Sequence, residues 1–322
     1  MENTPVMMKE KLEFFGILKE ALIIPHKNPN FIIFTFITSF PLFCFLLIYE
    51  TIFQQTLIET AKILKETLLP ACHSCSDDYI PLAIQRFLQE VSHKFFLLGI
   101  LYLGILHFLD LLNAIATIDA ASIIYGGENP MNLKDMLCRP IKEAKLKGPL
   151  ITSIYILLLA SLILFGLFPL AVQTYFLSAA MYFMEFFTVL YGLLSVALLT
   201  KYLEWNAIWN MGIVISVLEE KQGDVALVIS SYLTRGRRQC GLLLTVVFFV
   251  FSHGLRLLCL YVRWHQVGRG IVITAVQICL MCVGNVMKWV VFVVYFYDCK
   301  KRNLEKKVDG EEGRAVEEGV EA

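Results

Sequence analysis

Four polar side chains on one predicted helix could form a site inside the membrane: His107, Asp110, Asn113 and Thr117. At 100° per residue they fall within about one third of the helix circumference. Such a stripe either lines a polar cavity that binds a ligand or hydrogen-bonds to neighbouring helices. Hydrogen bonding between helices is the simpler interpretation, and the sequence leaves both open.

Three arginines, Arg235, Arg237 and Arg238, form a basic patch just before an apolar segment. Guanidinium groups at a membrane surface bind the phosphates of anionic lipid headgroups. Basic residues at this place also keep a loop in the cytosol. The patch is therefore a candidate lipid contact, and a role as a plain topology determinant is the alternative.

Cys72 and Cys75, with His73 beside them, have the spacing of half a zinc site or of a redox motif. A zinc site needs four ligands, and a second Cys/His pair is missing. A thioredoxin-like motif needs a βαβ context that this loop lacks. If the loop faces the secretory lumen, the two thiols form a local disulfide or stay unpaired. The sequence predicts no metal site and no cofactor.

Other signatures of catalysis are missing from the sequence. It has no His-Glu-x-x-His, no Gly-x-x-x-x-Gly-Lys phosphate loop and no Gly-x-Ser-x-Gly nucleophile elbow. The charged residues within apolar segments, Asp110, Glu185, Arg256 and Lys288, fall toward segment ends, where Arg and Lys can extend to the headgroups. The sequence therefore predicts that the chain is not an enzyme, and it argues against a coupled ion pump.

The elements that would hold these residues follow from the apolar content. Of 322 residues, 57% are hydrophobic, and the mean hydropathy is +0.65, which exceeds the content of a soluble domain. A spanning helix needs about 20 mostly apolar residues. Six segments qualify: 31–49, 95–113, 150–169, 181–200, 241–262 and 271–297. We predict an all-α polytopic membrane protein, a six-helix transmembrane bundle with amphipathic surface helices, with a membrane domain over residues 31–299.

The flanking segments are amphipathic or charged. Residues 1–30 contain a predicted helix over 9–24 that ends near Pro25. It lies on the cytosolic membrane surface or packs beneath the bundle. Its predicted apolar face consists of Leu12, Phe15, Leu18 and Leu22. The segment after the first span is predicted to be helical until Pro70, and residues 300–322 to be a disordered charged tail.

Lys and Arg are unevenly distributed between the two sides of this pattern. They concentrate in the N-terminal segment, in segments 134–147 and 201–238, and in the tail, whereas segments 50–94 and 263–269 hold few. Short basic loops stay in the cytosol. Both termini are therefore predicted to be cytosolic, in a membrane of the secretory pathway such as the endoplasmic reticulum or the plasma membrane.

The two long cytosolic connections resemble each other in sequence. Each runs from a serine near a helix end, Ser122 or Ser216, through a basic stretch to a glycine, Gly148 or Gly241, over nearly equal lengths. Both link a span that enters the cytosol to a span that leaves it. The pattern predicts a parallel internal repeat, with chance similarity as the alternative.

Three stretches carry a family resemblance: residues 12–21 (LEFFGILKEA), 120–125 (AASIIY) and 209–220 (WNMGIVISVLEE), the last followed by the Arg-Gly-Arg-Arg turn at 235–238. In these the chain resembles a plant-specific family of uncharacterised multi-pass transmembrane proteins. That family is distantly like the membrane domain of some bacterial glycerophosphodiesterases. The resemblance implies a plant source and membrane residence, and it implies no catalytic residue.

The function predicted from these features is a non-enzymatic one. The amphipathic and basic elements favour a protein that organises the membrane or recruits partners, and a small-solute transporter or channel is the alternative. The expected partners are the lipid bilayer and either anionic lipid headgroups or cytosolic proteins, but no nucleic acid. The oligomeric state stays open.

Overall fold

The structure is a computed structural model that describes residues 13–73, 93–127, 136, 146–179, 185–265 and 270–320. Within these ranges the chain forms helices and no strand. In lipid, every backbone N–H and C=O group must bond within the chain, so long apolar segments fold as helices. The all-α prediction is confirmed.

Eight helices are described, one of them with an irregular turn. In chain order they are α1 (Phe14–Lys27), α2 (Pro29–His73), α3 (His93–Gly126), α4 (Lys147–Ala179), α5 (Glu185–Leu218), α6 (Gly223–Thr234), α7 (Arg238–His265) and α8 (Gly270–Val320). A π-helical turn interrupts α3 at Tyr102–Leu106. Asn28 separates α1 from α2 and caps α2, since its Oδ1 accepts from the Asn30 N–H at 3.0 Å.

In the described part of the chain, five helical segments are long and apolar enough to cross a membrane: Pro29–Lys62, His93–Gly126, Lys147–Leu167, Arg238–Val262 and Ile271–Glu305. They overlap five of the six predicted spans. The remaining predicted span, 181–200, falls largely on α5, and residues 180–184 lie outside the described part. Large apolar side chains on the five segments, such as Phe36, Phe165 and Leu257, are exposed, as lipid contact requires. The chain is a polytopic membrane protein.

Several helices are longer than predicted. α2 continues through Pro70 to His73, so the predicted break at Pro70 is wrong. α8 runs to Val320, so the tail that was expected to be disordered is helical. The tail is rich in Glu and Lys, which are good helix formers, and their intrinsic propensity accounts for the difference.

α1 packs by a face that differs from the predicted one. Its buried residues are Ile17, Ala21 and Ile24, whereas Phe15 is 78% exposed and Leu22 59%. The two apolar faces lie about 145° apart around the helix axis. The helix ends at Lys27, two residues beyond Pro25 and close to its predicted end. Packing and membrane contact are thus both open to α1, on different faces.

The helices contribute to two compact units. The first consists of Met1–Phe34, Ala114–Phe249 and Met287–Ala322. Its core is the part of α8 from residue 289 to 296, which is buried throughout. A Cβ atom on Gly241 of α7 would lie 2.9 Å from the Tyr295 hydroxyl oxygen, and that hydroxyl donates to the Arg237 carbonyl at 2.9 Å. Glycine therefore permits close packing of α8 against the start of α7.

The second unit consists of Thr35–Asn113 and Val250–Val286. Here α7 and α8 meet at Gly284, where a Cβ atom would lie 2.6 Å from the Phe251 ring. α2 meets α3 through the rings of Tyr49 and Tyr102, whose centroids are 5.8 Å apart. Four helices thus contribute segments to this unit, and its polar contacts are described below.

Equivalent positions of the predicted repeat make the same local hydrogen bonds. A serine hydroxyl near the end of the incoming helix donates three residues back, and a threonine hydroxyl in the outgoing helix donates four residues back to the glycine carbonyl. The pairs are Ser122 with Asp119 and Ser216 with Ile213, both at 2.8 Å, and Thr152 with Gly148 and Thr245 with Gly241, both at 3.0 Å. Bonds of the same kind also join Ser161 to Leu158 and Thr51 to Leu47, so the internal repeat stays a prediction.

Candidate functional site

A buried polar cluster lies on three apolar helices of the second unit. We call it the Glu50 cluster; it consists of Glu50 and Gln54 on α2, Arg256 on α7, and Thr274 and Gln277 on α8. All except Arg256 are buried, with Glu50 only 2% exposed. Glu50 Oε2 lies 3.6 Å from Arg256 Nη2, so the two charges form an ion pair. Burying such charges among apolar helices is costly and marks a candidate site.

Asp110 makes the second polar contact between helices of this unit. Its Oδ1 accepts from Asn285 Nδ2 of α8 at 2.7 Å. One turn further along α3, Asn113 accepts from the Ser39 hydroxyl of α2 at 3.1 Å. These bonds are of the kind expected if the predicted stripe links helices.

The remaining members of the stripe differ in burial. Thr117 is fully buried and His107 is half-buried. Asp110 lies at the middle of the apolar helix His93–Gly126, because α3 continues well beyond residue 113, where the predicted span ends. Its partner Asn285 lies near the middle of the predicted span 271–297.

The polar residues of α8 were missed by the sequence analysis. Thr274, Gln277 and Asn285 fall within about 80° of the helix circumference at 100° per residue. This spacing was a usable signal, since polar residues on one face of an apolar helix point to a helix contact or a cavity. Glu50 was missed because it directly follows the last residue of the predicted first span, although it lies inside the apolar helix Pro29–Lys62.

The three arginines of the predicted lipid contact have different surroundings in the first unit. Arg235 and Arg238 are exposed. The Arg237 side chain is only 17% exposed and pairs with Asp298 of α8, with Nη1 at 3.3 Å from Oδ2. Arg302 contacts the same oxygen from Nε at 3.1 Å. Arg237 therefore ties α7 to α8, and two arginines stay available at the surface.

Along the chain, α6 lies between α5 and these exposed arginines. One of its faces is buried and the opposite face is exposed. Gly223, Ala226, Ser230 and Thr234 form its buried face. Ser230 donates to the Ile208 carbonyl of α5 at 2.6 Å, and the Gly223 N–H donates to Thr152 Oγ1 of α4 at 3.0 Å. The opposite face is apolar and exposed; it consists of Val225, Val228 and Tyr232.

The predicted Cys72–Cys75 pair lies outside the described side chains. Cys72 belongs to the last turn of α2, and Cys75 falls in the segment 74–92, which is not described. Among the residues that the structure describes, no group of three or more His, Cys, Asp and Glu side chains is placed to hold a metal ion.

Comparison with known proteins identifies the family. A model described as a domain of unknown function, DUF8558, matches residues 1–311. The chain belongs to this family. No curated protein and no solved structure matches it. The match to DUF8558 covers all eight helices except the last residues of α8, so the Glu50 cluster, Asp110 and the exposed face of α6 all belong to the family domain. The resemblance to plant membrane proteins stays a prediction.

Proposed function

We propose that the chain is a non-enzymatic membrane protein that organises anionic lipids of the cytosolic leaflet around α6. The exposed apolar face of α6 carries this proposal. Val228 is 68% exposed, the helix has only 12 residues, and its opposite face is packed against the protein. A helix too short to span, with one apolar face uncovered, is stabilised by lying within the interface of the bilayer.

The charge next to α6 selects the lipid. Arg235 caps the end of α6 and Arg238 begins α7, so both exposed arginines directly follow α6 in the chain. In the predicted topology this part of the chain faces the cytosol, where the leaflet holds anionic lipid. Phe15 and Leu22 on α1 form a second exposed apolar face in the same unit, which enlarges the surface available to lipid.

Neutralising the two exposed arginines is expected to weaken the preference for anionic lipid. The double variant Arg235→Gln/Arg238→Gln loses about 2 kcal/mol of lipid selectivity, because each basic residue near the surface contributes about 1 kcal/mol. The full-length protein is placed in mixed-lipid nanodiscs. Energy transfer between the protein and a fluorescent lipid then measures the enrichment of phosphatidylserine over phosphatidylcholine next to the protein.

Arg237→Gln is the matched control, since it removes the same charge from a side chain that is packed against Asp298. It is expected to keep the lipid preference and to lower the thermal stability. The double variant is expected to lose the lipid preference and to keep the thermal stability. A double variant that keeps the wild-type enrichment contradicts the proposal. So does equal loss in both variants.

A second candidate function, transport of a small solute or ion, is favoured by the position of Asp110. An ionisable group halfway along an apolar helix and hydrogen-bonded to a polar face of α8 is typical of a conduction or relay pathway. Asp110→Asn is then expected to lower ion flux through proteoliposomes by about tenfold or more, a loss of about 1.4 kcal/mol. Flux is measured with pH- and voltage-sensitive dyes.

Asp224→Asn, which changes an exposed carboxylate on α6, serves as the control for this measurement and is expected to leave the flux unchanged. Wild-type protein that gives no more flux than empty vesicles excludes transport of the ions tested. Equal flux through wild type and Asp110→Asn removes Asp110 from the pathway.

A further inference from the structure

Hydrogen-bond donors from three helices converge on the carboxylate of Glu50. Gln54 Nε2 of α2 lies 3.2 Å from Glu50 Oε1, and Gln277 Nε2 of α8 lies 3.3 Å from the same oxygen. Arg256 of α7 approaches the other oxygen, Oε2, at 3.6 Å. A cation and two amide N–H groups around one negative charge are the components of an anion-binding site.

The donors are held in place by bonds that do not involve Glu50. Gln54 Nε2 also donates to Gln277 Oε1 at 3.0 Å, and the Thr274 hydroxyl donates to Gln54 Oε1 at 3.3 Å. These bonds occupy both amide oxygens and turn the N–H groups toward the carboxylate. The site is therefore preorganised and does not depend on Glu50 to orient its donors.

Arg256 keeps capacity for a second oxyanion contact. Among the described residues its buried Nε has no hydrogen-bond partner, and neither does Glu50 Oε2. A guanidinium group binds carboxylate and phosphate best through two parallel N–H groups. The ion pair with Glu50, at 3.6 Å, does not use this geometry. The Arg256 side chain is 32% exposed whereas that of Glu50 is 2% exposed, so the site is open on the side of Arg256.

We propose that the Glu50 cluster is a binding site for an oxyanion, a carboxylate or a phosphate group, and that the carboxylate of Glu50 itself fills this anion position in the structure. An external oxyanion binds Arg256 through Nε and Nη2 and takes the amide donors of Gln54 and Gln277 when the Glu50 carboxylate is removed. The group comes from a free small anion or from a lipid headgroup. This site is independent of the lipid surface on α6.

Chemical rescue of Glu50→Ala tests the site. Full-length protein is purified in detergent, and its thermal unfolding midpoint is measured with sodium formate, sodium phosphate or sodium chloride at equal ionic strength, and with added phosphatidylglycerol or phosphatidylcholine. Glu50→Ala is expected to unfold at a lower temperature than wild type, and the oxyanion is expected to restore most of that loss in a saturable way, because a ligand that binds the folded state raises its stability.

The lipid and salt arms separate the two sources. Rescue by formate or phosphate without lipid supports a free oxyanion, and rescue only by phosphatidylglycerol supports a headgroup. The double variant Glu50→Ala/Arg256→Met is expected to show neither. Glu59→Ala is the matched control and is expected to show no rescue. It removes a carboxylate from the same helix, but this carboxylate is exposed and pairs with Lys94.

Loss of stability in Glu50→Ala that no oxyanion restores overturns the proposal, since the carboxylate is then only a structural partner of Arg256. If Glu50→Ala does not accumulate, Glu50→Ser replaces it, because this variant also removes the carboxylate and leaves its place empty. Formate is then expected to raise the unfolding midpoint of Glu50→Ser but not of Glu50→Ser/Arg256→Met. An equal response of these two variants also overturns the proposal.

Discussion

Asp298→Ala is expected to lower the free energy of unfolding by about 3 kcal/mol or more. One oxygen of this buried carboxylate contacts both Arg237 and Arg302, at 3.3 Å and 3.1 Å. Removing the carboxylate leaves two guanidinium groups close together without a counter-charge, and one of them is mostly buried. The cost is therefore that of an uncompensated buried charge rather than the small value of a surface ion pair.

Glu219→Ala provides the comparison for this effect. Glu219 pairs with Lys300 at 2.7 Å, but the Lys300 side chain is 46% exposed, so its removal is expected to cost about 1 kcal/mol or less. Both variants are measured by denaturant unfolding in the same detergent. Similar losses in the two variants contradict the assignment of Asp298 as the buried link between α7 and α8.

Arg256→Met is expected to destabilise the protein by about 3 kcal/mol. The substitution removes the positive partner of Glu50, whose carboxylate is then buried with only the amide groups of Gln54 and Gln277 beside it. Adding Glu50→Gln to Arg256→Met removes the remaining charge and keeps the side-chain volume. The double variant is therefore expected to regain most of the lost stability.

A double-mutant cycle over wild type, the two single variants and the double variant measures this coupling. The expected coupling energy is about 2 kcal/mol, in the range for residues in one ion-pair network. If the double variant loses as much free energy of unfolding as the two single variants together, Glu50 and Arg256 do not interact in the folded protein. The same result removes the basis for the oxyanion site.

The helical architecture follows from the sequence because the bilayer leaves the apolar segments no other backbone structure. Helix ends were less predictable. An apolar run marks only the part of a helix that needs lipid, and α2 and α8 continue beyond their runs to His73 and Val320. α2 continues past Pro70, so this proline did not mark the end of the helix.

The candidate site was only partly predictable. Asp110 and Asn113 were found from their shared helix face, and the structure gives each a partner on another helix. Glu50 could not be assigned from local sequence, since its burial depends on α7 and α8, which are about 200 residues away in the chain. Nor could the sequence separate Arg237 from Arg235 and Arg238, because neighbouring residues in a turn point in different directions.

The π-helical turn at Tyr102–Leu106 amounts to one residue more than a regular helix would hold between the two ends of α3. Deleting one residue there would regularise the helix and leave the residues on either side of the turn on the same faces of α3. Phe95 would then keep its ring contact with Phe53 on α2, and only residues of the turn itself, such as Tyr102, would change direction. In an alignment of relatives, a one-residue gap at this turn therefore identifies homologues whose α3 is regular and still meets α2 through the same face.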